Sequence, residues 1–382
     1  MSQESFYNSD ENSFWENVEA NFEEKAPDFS KTLNIAVIGK VSSGKSSLIN
    51  ALLKRSRKKA LAEVGAVSGV TTALKVLKLD DRVRLIDSPG LDDVRAENSE
   101  RTKNFLKHID VGILVISGSS DASQKKHLDD LKVHCRSIFV VLNKIDEYDE
   151  YKDEDGSNSA LDKVIGQWKK DLNTEKIYPV CTFGYDKDLP PRKTLNIRGV
   201  CWLREDIEKF LKSEGKDLLL ARHMGEKKPY AIGIIATALA AVTAEAFIPG
   251  SAVYITATQT AAIGSLYYLY TGDVLSLKAA LAVLPVFIAE SAGTNLFLWA
   301  TSILPPTGVV NLVAAGIAVG ITLSILGAVN FVLESGAKLD EKKLLKSKFK
   351  TYQKQTAITV GELANMDIKN LSAVGGIIGK FL

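Results

Sequence analysis

Charge is what one long stretch of this chain lacks. Residues 231–333 carry only four charged side chains, Glu245, Asp273, Lys278 and Glu290, and 291–333 carry none. Such a stretch is not solvated linker: it must bury itself in its own helices or in lipid. Cysteine is scarce as well. Cys135, Cys181 and Cys201 cannot all pair and show no metal spacing, which excludes a disulfide scaffold and fits a reducing compartment. A net charge of +2 over 382 residues removes the bulk case for nucleic acid. The start lacks a basic n-region and an apolar h-region, so no secretory leader is visible and cytosolic synthesis is expected. Residues 1–30 instead hold eight acids and one base, Lys25.

What is present divides the chain. Phe14, Trp15, Val18 and Phe22 recur at helical spacing, so the acidic start reads as an amphipathic helix over 13–25 that packs on a neighbour. An α/β alternation follows. LNIAVI (33–38) suits a strand buried on both faces. ALKVLKL (73–79) and RVRLI (82–86) flank Asp80–Asp81 as an antiparallel hairpin. VGILVI (111–116), SIFVVL (137–142) and KIYPV (176–180) are further strands. Helices are expected at 46–54, 98–108, near 122–132, around Trp168 and around Ile207, with surface loops at 147–158 and 184–199. Strands joined by helices imply an α/β, doubly wound, mostly parallel mixed sheet. In the apolar half, proline and glycine punctuate four expected helices, 231–247, 251–270, 274–303 and 308–333. The domains expected are 1–30, the α/β domain 31–215, an all-α hydrophobic domain 216–335, and basic and amphipathic helices over 336–382.

Four short motifs carry chemistry. GKVSSGKSS (39–47) fits G-x-x-x-x-G-K-[ST] without a gap, between a strand and a helix. In that context the backbone N–H groups of Gly39, Lys40, Ser42, Ser43, Gly44, Ser46 and Ser47 form a concave cradle for phosphate oxygens. Lys45 brings a cation to the β- and γ-phosphates, and the Ser46 hydroxyl suits Mg²⁺. Asp87 of DSPG ends a strand as the Mg²⁺ carboxylate held through water, and the N–H of Gly90 can sense the γ-phosphate. Thr72, with Thr71 as substitute, can offer a hydroxyl to the metal while the γ-phosphate is bound; two β-formers opening a strand is the plainer reading. NKID (143–146) selects the base. The Asp146 carboxylate accepts two hydrogen bonds from guanine, a donor pair adenine lacks. Asn143 either bonds the base or braces the phosphate loop, and the Lys144 stem lies along the base plane. Cys181 and Thr182 follow the last strand, where a backbone N–H would meet the guanine carbonyl. The ligands expected are therefore GTP or GDP with Mg²⁺.

These motifs resemble the translation-factor-related class of P-loop GTPases over about 33–213, and GKVSSGKSSLINALL is similar to the P-loop of Era-like and dynamin-like proteins. The resemblance implies GTP hydrolysis, with Lys45, Thr72 and Gly90 at the reacting phosphate. Leu91 stands where Ras-like proteins carry a water-positioning glutamine, as in Era, dynamin and immunity-related groups. Ser42 stands where dynamin-like proteins have a serine near a monovalent cation, which makes K⁺ or Na⁺ stimulation an expectation. Slow intrinsic hydrolysis that quickens when two such domains meet implies a homodimer through them. AFIPGSAVYITATQTAAIG and LPPTGVVNLVAAGIAVGITLSILG resemble the hydrophobic helical domain attached to bacterial Era-like GTPases, which implies membrane lipid as a partner, on the cytosolic face. The order of parts is similar to immunity-related GTPases, by which residues 13–25 would pack on the C-terminal helices.

The expected function is a GTP-hydrolysing switch that regulates a membrane-associated helical domain. A dynamin-like remodelling enzyme and a GTP-gated pore are the alternatives. No basic, aromatic-rich module follows the α/β domain, so nucleic acid is not an expected partner. The apolar helices either span a bilayer in even number or bury one another in a soluble bundle. The last segment, DIKNLSAVGGIIGKFL, is either an interfacial membrane helix or a helix docked on the bundle.

Overall fold

The computed structural model describes residues 3–62, 64, 75–88, 108–121, 123–151, 156–186, 194–248, 250–288, 308–364 and 371–382. Thr71, Thr72, Gly90, Leu91 and the helix expected at 98–108 lie outside the described residues. The chain divides into two compact units, one of 30–225 and one of 1–29 with 226–382. The first unit runs ten residues past the boundary expected at 215 and includes a short helix, Asp217–Ala221.

The α/β unit is built on a six-stranded sheet in the order β2-β3-β1-β4-β5-β6. The strands are β1 (Leu33–Ile38), β2 (Lys75–Lys78), β3 (Val83–Ser88), β4 (Ile109–Ile116), β5 (Cys135–Leu142) and β6 (Tyr178–Pro179). All pairings are parallel except the hairpin β2–β3. Every residue of β1 and β4 is buried, as expected of strands covered on both faces, and the one charged side chain among them, Asp110, is ion-paired with Lys216 at 2.6 Å. Helices α2 (Lys45–Leu52), α3 (Ser123–His134) and α4 (Ser159–Leu172) lie between strands, and α5 (Val200–Ser213) follows the last one. Trp168 and Leu172 of α4 pack beneath Ile38, Leu114 and Leu142, and burial of the indole contributes roughly 2–3 kcal/mol. Its Nε1–H donates to the Gly118 carbonyl (2.9 Å), so the ring's one polar atom is satisfied.

Two local expectations change. The strand expected at 176–180 is only Tyr178–Pro179, although the Val180 N–H still donates to the Leu142 carbonyl of β5 (2.8 Å). The chain then leaves the main sheet: β7 (Cys181–Phe183) pairs antiparallel with β8 (Asn196–Arg198), inside the span expected to be loop.

The helical unit contains α1 (Gln3–Lys25), α7 (Lys228–Glu245), α8 (Ser251–Thr271), α11 (Gly308–Glu334), α12 (Lys342–Ala364) and α13 (Leu371–Phe381), taking Asp217–Ala221 as α6. The acidic α1 packs on α8. Val18 is fully buried, Trp15 is exposed, Lys25 is ion-paired with Glu245, and the Phe29 and Tyr268 rings meet at 4.6 Å. Of the long helix expected over 274–303, residues 289–303 lie outside the described residues, and the described part is not one continuous helix. The chain makes two short helices, α9 (Leu277–Leu281) and α10 (Pro285–Ile288), because Pro285 can open a helix but not sit inside one.

Polar side chains inside this unit bond one another across helices. Gln259 Nε2 donates to Thr322 Oγ1 (2.8 Å), Tyr270 Oη to Asn330 Oδ1 (2.9 Å), and the Ser324 and Thr356 hydroxyls meet at 2.7 Å. Such pairs fix the register of otherwise interchangeable apolar helices. Gly375 and Gly379 of α13 bring its backbone against Ile232 of α7, where an added Cβ on either would lie 3.4 Å from that side chain. Val374 and Ile378 are buried and Phe381 stacks on Tyr352 at 4.9 Å, so the apolar face of α13 is spent on the bundle. Among the described residues one helical segment, Ala315–Glu334, is long and apolar enough to cross a membrane, with mean hydropathy 2.1, and 78% of it is buried inside the protein.

Candidate functional site

The site lies at the C-terminal ends of β1, β3 and β5, where a doubly wound sheet opens. β1 ends at Ile38, the loop 39–44 turns, and α2 starts at Lys45. The turn depends on its glycines. At Gly39 an added Cβ would fall 2.1 Å from the Val115 carbonyl oxygen. Gly44 is left-handed (φ 89°), and a Cβ there would fall 2.1 Å from Asn143 Nδ2. Ser42 also adopts a left-handed conformation (φ 64°), an uncommon one for a non-glycine residue, and its side chain is exposed.

Lys45 is the centre of the site. It is 4% exposed, and its Nζ donates to the carbonyls of Gly39 and Lys40, both at 2.9 Å. Burial pulls its pKa below the usual lysine value, and the Asp87 carboxylate opposes that shift. A buried ammonium curled onto two neutral carbonyls is poised to receive an anion. Ser46 Oγ donates to Asp87 Oδ2 (2.6 Å), which brings the hydroxyl and the carboxylate together. Asp87 is 1% exposed and its Oδ1 has no hydrogen-bond partner; the buried Ser43 Oγ has none either. Oxygen donors of this kind, left unsatisfied beside a hydroxyl, fit a Mg²⁺ held partly through water. The residues expected to hold phosphate and metal that lie within the described set are therefore brought together.

The base-selecting motif is fixed from behind. Asn143, 1% exposed, donates from Nδ2 to the Ser43 carbonyl (3.0 Å) and accepts at Oδ1 from Thr182 Oγ1 (3.0 Å). Of its two possible roles, Asn143 thus fills the loop-bracing one. Thr182 acts through its side chain on Asn143, a link with no sequence signature, since β7 meets β5 only in three dimensions. Lys144 is left-handed (φ 63°), which turns the chain into a 3₁₀ segment (Ile145–Tyr151) carrying Asp146. Cys181 Sγ donates to Asp146 Oδ1 at 3.2 Å. Burial pushes the Cys181 thiol up to about 11, and Asp146 adds to the shift, so it stays a neutral donor that orients the carboxylate. Two further partners were not legible in the sequence: Lys40 pairs with Asp121, and Arg198 forks onto Asp149 at 2.9 and 2.7 Å.

Comparison with known proteins agrees with this geometry. Residues 34–144 match the family described as 50S ribosome-binding GTPase. Over 185 residues the chain is 26% identical to the GTPase Der of Campylobacter lari, covering 44% of this chain and 37% of that protein. Over 125 residues it is 34% identical to the tRNA modification GTPase MnmE of Aquifex aeolicus, covering 30% and 26%. Over 62 residues it is 48% identical to GTPase grn1 of Schizosaccharomyces pombe, covering 16% and 13%. The chain spans well under half the length of each of these relatives. The α/β unit has the α/β P-loop GTPase fold, joined in the chain to a helical region, and its similarity to GTPases supports guanine-nucleotide binding.

Proposed function

We propose that this protein is a GTP-binding and GTP-hydrolysing switch that regulates a membrane-associated helical unit. The observation that carries the reading is Lys45, a buried cation bonded to two loop carbonyls beside the unsatisfied Asp87 Oδ1. In this account the 39–44 amides and Lys45 bind the triphosphate, and Asp146 accepts from the guanine N1–H and amine. Asn143 holds the loop in its binding shape through Ser43. Ser46 and Asp87 would hold Mg²⁺, and the bound ion would neutralise charge on the phosphates. Lys45 stabilises the charge that develops as water attacks the γ-phosphorus and the β–γ bond breaks, giving GDP and phosphate. Thr72 and Gly90 are the contacts released with the γ-phosphate, and Ser42 is the residue through which K⁺ or Na⁺ would act. With leucine at position 91, no side-chain amide there orients the water, so intrinsic turnover is slow and rises when two α/β units meet.

The membrane part rests on the segment Ala315–Glu334, apolar enough to span yet mostly buried in the bundle. That burial favours a folded bundle meeting lipid at its surface over threading through it. Phosphate release from GTP and ATP by the full chain tests the enzyme. Turnover of GTP alone is expected, and equal turnover of ATP contradicts it. Carbonate extraction of membranes tests the attachment: release is expected, and retention until detergent is added contradicts the peripheral reading.

A further inference from the structure

The helix α12 carries a charge pattern that nucleotide chemistry does not use. Its inner face, Leu345, Phe349, Tyr352 and Thr356, is buried. At 3.6 residues per turn, Lys343, Lys350 and Lys354 fall within about 40° of one another on the opposite side, along roughly 16 Å of helix. All three are exposed, with the exposed Ser347 and Thr351 between them and the half-exposed Lys346 beside them. No acid occurs from Lys342 through Gly361, and the nearest upstream acids are Asp340 and Glu341, just before the helix. Lys348 lies toward the bundle, its Nζ 3.6 Å above the Phe331 ring. The exposed acids Glu16, Glu19, Glu23 and Glu24 belong to α1, which packs on α8.

We propose that this lysine crest is a docking surface for an anionic lipid leaflet. The inference rests on the membrane-associated reading of the helical unit and names the face and the headgroup chemistry. Point cations in a row on a rigid helix suit a diffuse layer of negative headgroups, and each is worth about fivefold in affinity. RNA is the poorer fit. Residues 223–382 contain no arginine, the side chain with a planar fork for phosphate, and no aromatic residue lies on the crest for base stacking. The hydrophobic contacts of α12 are spent inside the bundle against α11, so docking here is electrostatic.

The test uses the full chain and sedimentation with vesicles of phosphatidylcholine alone or mixed with phosphatidylserine. Selective binding to the anionic vesicles is expected, with release when salt rises from about 0.1 M to about 0.5 M. The triple substitution Lys343→Gln, Lys350→Gln, Lys354→Gln should lower that binding about 100-fold. The same positions changed to arginine should keep it. Far-ultraviolet dichroism and GTP affinity of each variant, matching the parent, certify its fold. Unchanged binding by the glutamine variant overturns the proposal, as does preference for RNA over vesicles with the same lysine dependence. Equal binding to neutral and anionic vesicles overturns it while leaving membrane association standing; binding to neither overturns both.

Discussion

The core of the helical unit and the phosphate loop of the α/β unit bury polar groups differently. In the helical unit, Gln259 has Thr322, Ser324 has Thr356, and Glu245 has both Lys25 and Thr258. In the α/β unit, Ser43 Oγ and Asp87 Oδ1 are buried without a hydrogen-bond partner, and Lys45 has only carbonyls. Closed polar pairs specify packing, whereas open ones in a loop between strand and helix specify a ligand. The contrast locates chemistry at the phosphate loop and architecture in the helix core.

The largest effects that sharpen this contrast fall on architecture. Phe349, fully buried against Phe287, should cost about 3–5 kcal/mol on change to alanine, read by urea unfolding of the helical unit, with GTP affinity unchanged. Lys45→Ala should do the reverse. It removes a buried, desolvated cation, so melting temperature should hold or rise, while GTP affinity falls about 100-fold in calorimetry. A large loss of stability in Lys45→Ala would break the comparison. Asn143→Ala lies between the two, since it strands Thr182 and frees the Ser43 carbonyl. It should cost about 1–3 kcal/mol of stability and weaken GTP binding about tenfold. The smallest effect is on thiols. At pH 8, Cys201 is exposed and should react with a disulfide reagent, while Cys181 and Cys135, pushed up by burial to about 11 and about 12, should stay silent in the native state. Three equal reaction rates would contradict that placement.

Much of the α/β unit was legible in the sequence because its signals are local. An uncharged run makes a doubly buried strand, Gly39 and Gly44 mark a tight phosphate loop, and Asp80–Asp81 mark a hairpin. The Thr182–Asn143–Ser43 chain was not legible, since it joins residues 39 and 100 positions apart. Nor was the exit of the chain from the sheet into β7 and β8, because the partner strand β8 lies beyond a loop. In the apolar half, periodicity marks helices but not where they break: the composition of 274–303 is helical throughout, and Pro285 divides it. The fate of an amphipathic face is likewise tertiary. The last helix had the pattern of a membrane-surface helix, and Gly375 and Gly379 instead let it close on Ile232.

The central claim is that the loop around Lys45 holds a triphosphate while Asp146 chooses guanine. Calorimetry of the full chain with GTP, ATP and xanthosine triphosphate in Mg²⁺, repeated on Asp146→Asn, tests it most directly. The account predicts GTP bound at least about 100-fold tighter than ATP, and a shift toward the xanthine nucleotide in the variant, because asparagine replaces an acceptor with a donor. Equal affinity for GTP and ATP in the parent would contradict it.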